Sequence, residues 1–101
     1  LAELRAEYRR ALPAKLSEIE GLWQGLSAGA EPAAGFSELR RLAHTLAGAA
    51  RTFGLPAVTD AARALEQALL PLCEPGATAR TGEVQRIALL VDALKRSPAA
   101  D

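Results

Sequence analysis

Leucine and alanine return every third or fourth residue through successive stretches of this chain, and proline or glycine separates each stretch from the next. Residues three and four apart share one face of a helix, whereas a strand would alternate from one face to the other, so this spacing predicts amphipathic helices. Residues 2–11 are helix-forming, with Leu4, Tyr8 and Leu12 as the apolar positions. Pro13 has no N–H to donate and disfavours helix at the residue before it, which predicts a kink or break and a short N-terminal lead-in helix. A second segment follows, carrying Leu16, Ile19, Leu22, Trp23 and Leu26 on one face. Gly29 to Gly35 reads as a loop from its glycine and proline content.

The next helix is expected from about Phe36 to Gly54, with Leu39, Leu42, Ala43, Leu46, Ala49, Ala50 and Phe53 as its apolar stripe. Gly54 suits the left-handed backbone of a helix end. Pro56 then opens a helix whose apolar positions are Leu55, Val58, Ala62, Leu65, Leu69 and Leu72. The connection between these two is so short that they should be antiparallel neighbours. Cys73 to Thr81 is a second loop, and a last helix from about Gly82 to Arg96 buries Val84, Ile87, Leu90, Val91 and Leu94. Lys95 and Arg96 suit its negative end, and Ser97 to Asp101 are expected to fray. The expected architecture is all-α, an antiparallel four-helix bundle with a short lead-in helix.

A length of 101 residues predicts a single domain spanning 1–101. Half the residues are hydrophobic but only four are aromatic, which favours close-packed helices over a sheet. Twelve basic and twelve acidic residues cancel, so no overall field draws the chain to nucleic acid or an anionic membrane. No apolar run has the length of a membrane span, and no secretory signal is visible. Cys73 is the sole cysteine, with no second thiol for a disulfide or a zinc site. These features fit a cytoplasmic protein. The chain starts at Leu1, as expected of a domain cut from something longer.

His44 is the only histidine. On the expected helix, Ser37, His44 and Arg51 fall seven apart, on a line opposite the apolar stripe, so the imidazole should point to solvent. A neutral ring nitrogen is available near neutrality to attack a phosphoryl group, and such transfer asks the protein mainly for positioning and charge stabilisation. Gly48, one turn on, removes the side chain that would obstruct an approaching phosphorylated partner; Ala47 and Ala50 should keep the neighbourhood low. Arg40, Arg41 and Arg51 lie within two turns and are candidates to meet the incoming phosphate. Counting from Gly54, His44 is about ten residues up one helix and Glu66 about twelve along the next, so their heights match. A carboxylate there would bond one imidazole nitrogen and leave the other free.

Ala43-His44-Thr45-Leu46-Ala47-Gly48-Ala49-Ala50, followed by Phe53-Gly54 and Leu65-Glu66, resembles the signature of histidine phosphotransfer (HPt) domains. Ala49 to Gly54 is especially similar to the version at the N-terminus of chemotaxis-type kinases. The resemblance covers residues 36–72 by motif and the remainder by helix layout. It implies a cytoplasmic phosphocarrier that takes phosphate on His44 and exchanges it with an aspartate of a response-regulator receiver domain, supplied by a histidine kinase or hybrid kinase. Magnesium in that transfer belongs to the receiver, so the resemblance implies no metal or other cofactor here. Thr45 follows the histidine where dimeric sensor-kinase helices carry an acid, which favours a monomer. One position departs from the family: lysine usually stands three residues after the histidine, and this chain has Ala47. That departure sustains a second reading, a degenerate HPt-like bundle that docks a receiver without accepting phosphate. The chain is not a complete kinase, since no glycine-rich nucleotide loop is present and the length leaves no room for a nucleotide-binding domain, but it fits as part of a histidine kinase. A hydrolase is a poor third, because no serine, cysteine or second histidine is placed to complete a site.

Overall fold

The computed structural model describes residues 2–27, 32–74, 77 and 80–101. Four helices account for most of them: α1 (Ala2–Ser27), α2 (Pro32–Thr52), α3 (Pro56–Leu69) and α4 (Thr81–Arg96). Among the described residues there is no strand. Contacts along the helices set each neighbouring pair antiparallel. Leu26 lies against Gly35, where an added Cβ would collide with it, and Tyr8 stacks on Phe53 at the other end of the same pair, ring centroids 4.8 Å apart. Glu20 pairs with Lys95, while Arg9 Nη2 donates to the Pro98 carbonyl at 3.4 Å. Between the helices, Leu12, Leu39, Leu55, Leu65, Leu69, Ile87 and Leu94 form a core closed to solvent.

The lead-in helix is not separate. α1 runs through Pro13 without interruption. Proline removes the hydrogen bond to the carbonyl four residues back and crowds that carbonyl, here that of Arg9, and both Arg9 and Pro13 lie on the exposed side of the helix. Water can satisfy that carbonyl, while buried Leu12 and Leu16 anchor the chain on either side of the proline. α2 also begins earlier than the glycine content suggests. Pro32 is its first residue, a position where a missing N–H has no helical acceptor anyway. Of the loop expected over Gly29 to Gly35, residues 29–31 lie outside the described residues.

The α2–α3 turn is built by Gly54. Its φ of +70° is the left-handed conformation, and it places the Gly54 N–H on the Arg51 carbonyl at 3.2 Å and the Leu55 N–H on the Ala50 carbonyl at 2.9 Å. This nested pair is a Schellman end, with Leu55 and Ala50 both fully buried beneath it. Beyond α3 a 3₁₀ turn, Leu70–Cys73, keeps Leu72 in the core. Glu83 opens α4 by accepting the Arg80 N–H at 3.2 Å.

The C-terminal residues do not fray. Ser97–Ala100 form a 3₁₀ turn, and the Asp101 carboxylate accepts from the Ala57 N–H at 2.7 Å and the Val58 N–H at 2.9 Å. Leu55 precedes α3 and has no side chain that can cap it, so Asp101 supplies from a distance what a local Ser or Asp would supply at an N-cap. Its negative charge also faces the positive end of the helix dipole. Asp101→Ala should therefore cost about 1–2 kcal/mol, seen in a thermal melt as a fall of roughly 4–8 °C per kcal/mol for a domain of this size.

Candidate functional site

α2 carries its buried residues Phe36, Leu39, Ala43, Leu46, Ala47 and Ala50 along one side, and this leaves His44 about a third of a turn away from the core. The His44 side chain is 71% exposed, whereas Glu66 opposite it on α3 is only 17% exposed. His44 Nδ1 lies 2.7 Å from Glu66 Oε2. A carboxylate oxygen can only accept, so Nδ1 carries the hydrogen and donates it. Nε2 is then the nitrogen with the free lone pair, on the side of the ring away from Glu66.

Glu66 Oε2 has a second neighbour, Arg40 Nη1 at 3.5 Å. Arg40 lies one turn before His44 on α2, so guanidinium, carboxylate and imidazole converge on one oxygen. Helix α2 thus provides two groups and α3 the third, and the Schellman turn at Gly54 fixes the register between them. Sequence counting placed Glu66 at this height; it gave no sign that Arg40 would turn toward α3.

Gly48 is exposed, one turn beyond His44, and a Cβ added there would meet nothing within 4 Å. Its lack of a side chain answers to no packing need inside the chain. Ala47, expected with Gly48 on the approach to the histidine, is instead 6% exposed and packed in the core with Ala43 and Ala50. The helical period explains this correction: positions 43, 47 and 50 lie within about a sixth of a turn of one another. Small residues there let α2 lie close to α3.

The three arginines separate into distinct settings. Arg40 is held by Glu66. Arg41 is held by Glu38 on its own helix, and that bond lowers the pKa of the Glu38 carboxyl while raising that of the guanidinium. Arg51 is exposed, and its guanidinium makes no ion pair or hydrogen bond among the described residues. Sequence reasoning overlooked a fourth arginine, Arg63, one turn before Glu66 on α3 and likewise exposed and unpaired among the described residues. Its signal was available as the i, i+3 spacing from Glu66.

On the other flank of α2, Leu42, Thr45, Leu46 and Ala49 line a shallow hollow with Tyr8, Lys15, Glu18 and Ile19 of α1. Desolvation raises the Tyr8 hydroxyl above its ordinary pKa. Among the described residues no cluster of three or more His, Cys, Asp or Glu is arranged to hold a metal, and no helix is long and apolar enough to cross a membrane.

The exposed imidazole, its carboxylate partner and the side-chain-free step at Gly48 together form an open platform and not an enclosed pocket, suited to a macromolecular partner bringing its own reacting group. A family model described as Hpt domain matches residues 3–97. No match was found among curated proteins or among solved structures.

Proposed function

The chain belongs to the Hpt domain family, the histidine phosphotransfer modules of two-component phosphorelays, and from that premise we propose that His44 is the residue that carries the phosphate. The observation that carries this reading is the Nδ1–Glu66 contact of 2.7 Å on an otherwise exposed ring. It leaves Nε2 as the nucleophile facing solvent.

The step balances without moving a proton. The Nε2 lone pair forms a bond to phosphorus as the phosphorus–oxygen bond of an aspartyl phosphate breaks, and the leaving electron pair stays on the aspartate carboxylate. With a hydrogen already on Nδ1, the phosphorylated ring carries a positive charge. Glu66 lies against that charge as it develops, in the way a carboxylate steadies an imidazolium in other histidine chemistry. Return of phosphate to a receiver aspartate reverses each bond change. The partners are a receiver domain and the histidine kinase or hybrid kinase that charges the relay, with the bundle acting as a monomer in the cytoplasm.

Glu66→Gln separates the charge from the hydrogen bond, because the amide oxygen can still accept from Nδ1–H. The initial rate of phosphate uptake should fall about 10- to 100-fold, the usual cost of losing an orienting carboxylate. A bundle that docks a receiver without accepting phosphate is the second reading, and the absence of a lysine at position 47 favours it. Incubation with radiolabelled kinase or phosphorylated receiver, followed by peptide mapping, decides between them. Acid-labile, base-stable label on the peptide containing His44 supports the carrier; tight receiver binding with no label on this chain supports the docking bundle.

A further inference from the structure

We infer that Arg63, from α3, supplies the cation that grips the phosphoryl oxygens on His44, at the level where α2 itself offers only Ala47. The inference rests on the reading of His44 as the phosphate carrier. It begins with register. The contact between His44 Nδ1 and Glu66 Oε2 fixes which part of α3 lies beside the imidazole. Arg63 is three residues nearer the α2–α3 turn, about 4.5 Å along the axis. On the antiparallel α2 that is the level of Ala47 and Gly48.

Azimuth agrees with register. Buried Val58, Ala62, Leu65 and Leu69 mark the core-facing line of α3. At 100° per residue, Glu66 stands about 60° round from that line and Arg63 about 120°, both on the same side. Glu66 identifies that side as the one facing α2. The opposite flank of α3, with Ala64 and Ala68, faces Glu83, Arg86 and Ile87 of α4. Arg63 therefore rises from the outer lip of the α2–α3 groove, beside the open space over Gly48.

Availability separates Arg63 from most of its neighbours. Arg40 and Arg41 are committed to Glu66 and Glu38. The Arg63 guanidinium has no ion pair or hydrogen bond among the described residues. Arg51 is also unpaired, but it lies two turns from His44, about 10 Å along α2. A guanidinium offers paired N–H donors that match two phosphoryl oxygens, and its reach from a neighbouring helix exceeds that of a shorter side chain. The usual lysine would act from the same helix as the histidine; here the charge comes across the groove.

Phosphoramidate tests this without any protein partner. The Nε2 lone pair attacks phosphorus, the phosphorus–nitrogen bond breaks, and its electron pair leaves with ammonia. Phosphohistidine formation would be followed by 31P NMR over a range of phosphoramidate concentrations for wild type, His44→Gln, Arg63→Ala, Arg63→Lys and Arg51→Ala. Helical circular dichroism would accompany each variant. Arg63→Ala should lose about tenfold in uptake at low phosphoramidate, the effect of one partly solvated charge-assisted hydrogen bond. The loss should be mainly in KM, with a displaced phosphohistidine resonance, and Arg63→Lys should recover most of it. Wild-type uptake on His44 with Arg63→Ala unchanged, or with the loss appearing in Arg51→Ala instead, overturns the role of Arg63 and leaves the carrier intact. Uptake that survives in His44→Gln, or no uptake by wild type, overturns the carrier reading and this inference with it.

Discussion

His44→Gln should take up no phosphate from kinase or receiver, yet bind its receiver as tightly as the wild type. The expectation of total loss follows from chemistry: an amide nitrogen has its lone pair delocalised into the carbonyl and does not attack phosphorus. The expectation of intact binding follows from structure. The side chain is 71% exposed, so its replacement opens no cavity. Glutamine is a better helix former than histidine, and its amide N–H groups can still donate to Glu66, which also keeps Arg40 nearby. Uptake by labelled phosphate and affinity by calorimetry, measured on the same preparation, separate the two properties. Affinity lost in parallel with uptake would mean that the imidazole is a docking contact. Wild type that binds without uptake would establish the docking bundle instead.

Gly48→Gln should transfer phosphate about a hundredfold more slowly while the bundle becomes no less stable. A glycine inside a helix costs roughly 1 kcal/mol relative to alanine, and nothing in the surrounding structure requires one at position 48, where a Cβ meets only open space. Gly48→Ala should accordingly raise the melting temperature by about 4–8 °C. A longer side chain occupies the space through which phosphate reaches Nε2. In-line transfer tolerates little displacement, and a misplacement of about 1 Å can cost on the order of 10²-fold in rate. Phosphoramidate, being small, should suffer less than a receiver. A series of Ala, Gln and Arg at position 48 would therefore show stability and transfer moving in opposite directions, a common relation at functional surfaces. Equal transfer across the series would detach Gly48 from the site.

Much of this molecule was legible from spacing alone. The period of Leu39, Ala43, Leu46 and Ala50 sets one face of α2 inward, and outward placement of His44 follows directly. The brevity of Gly54-Leu55-Pro56 made α2 and α3 antiparallel, and counting residues from the turn brought Glu66 level with His44. Less legible were features decided by long-range partners. Pro13 stays within α1 with the carbonyl it deprives on the exposed side, and no local pattern reveals that Leu12 and Leu16 would anchor the chain around it. Ala47 belongs to the inward set by angle, with Ala43 and Ala50, although its small side chain also suits the approach to the histidine. Asp101 caps a helix that begins 45 residues earlier, and only the assembled bundle brings the two together. Arg63 lies on the neighbouring helix, and its level relative to His44 follows only from the α2–α3 register.

The pairing of Asp101 with Ala57 and Val58 has a consequence for tolerances. A slip of one residue along α3 would carry Glu66 about 1.5 Å and swing its carboxylate through about 100°, beyond reach of Nδ1. The alignment of the imidazole is thus gauged against a clasp about 14 Å down the helix. Arg5 Nη2 grips the Gly54 carbonyl at 3.1 Å beside the same clasp, so the first helix and the last residues hold one datum from which the chemistry is measured. Hydrogen exchange at the Ala57 and Val58 amides would report the slack in that gauge while leaving the His44–Glu66 pair untouched.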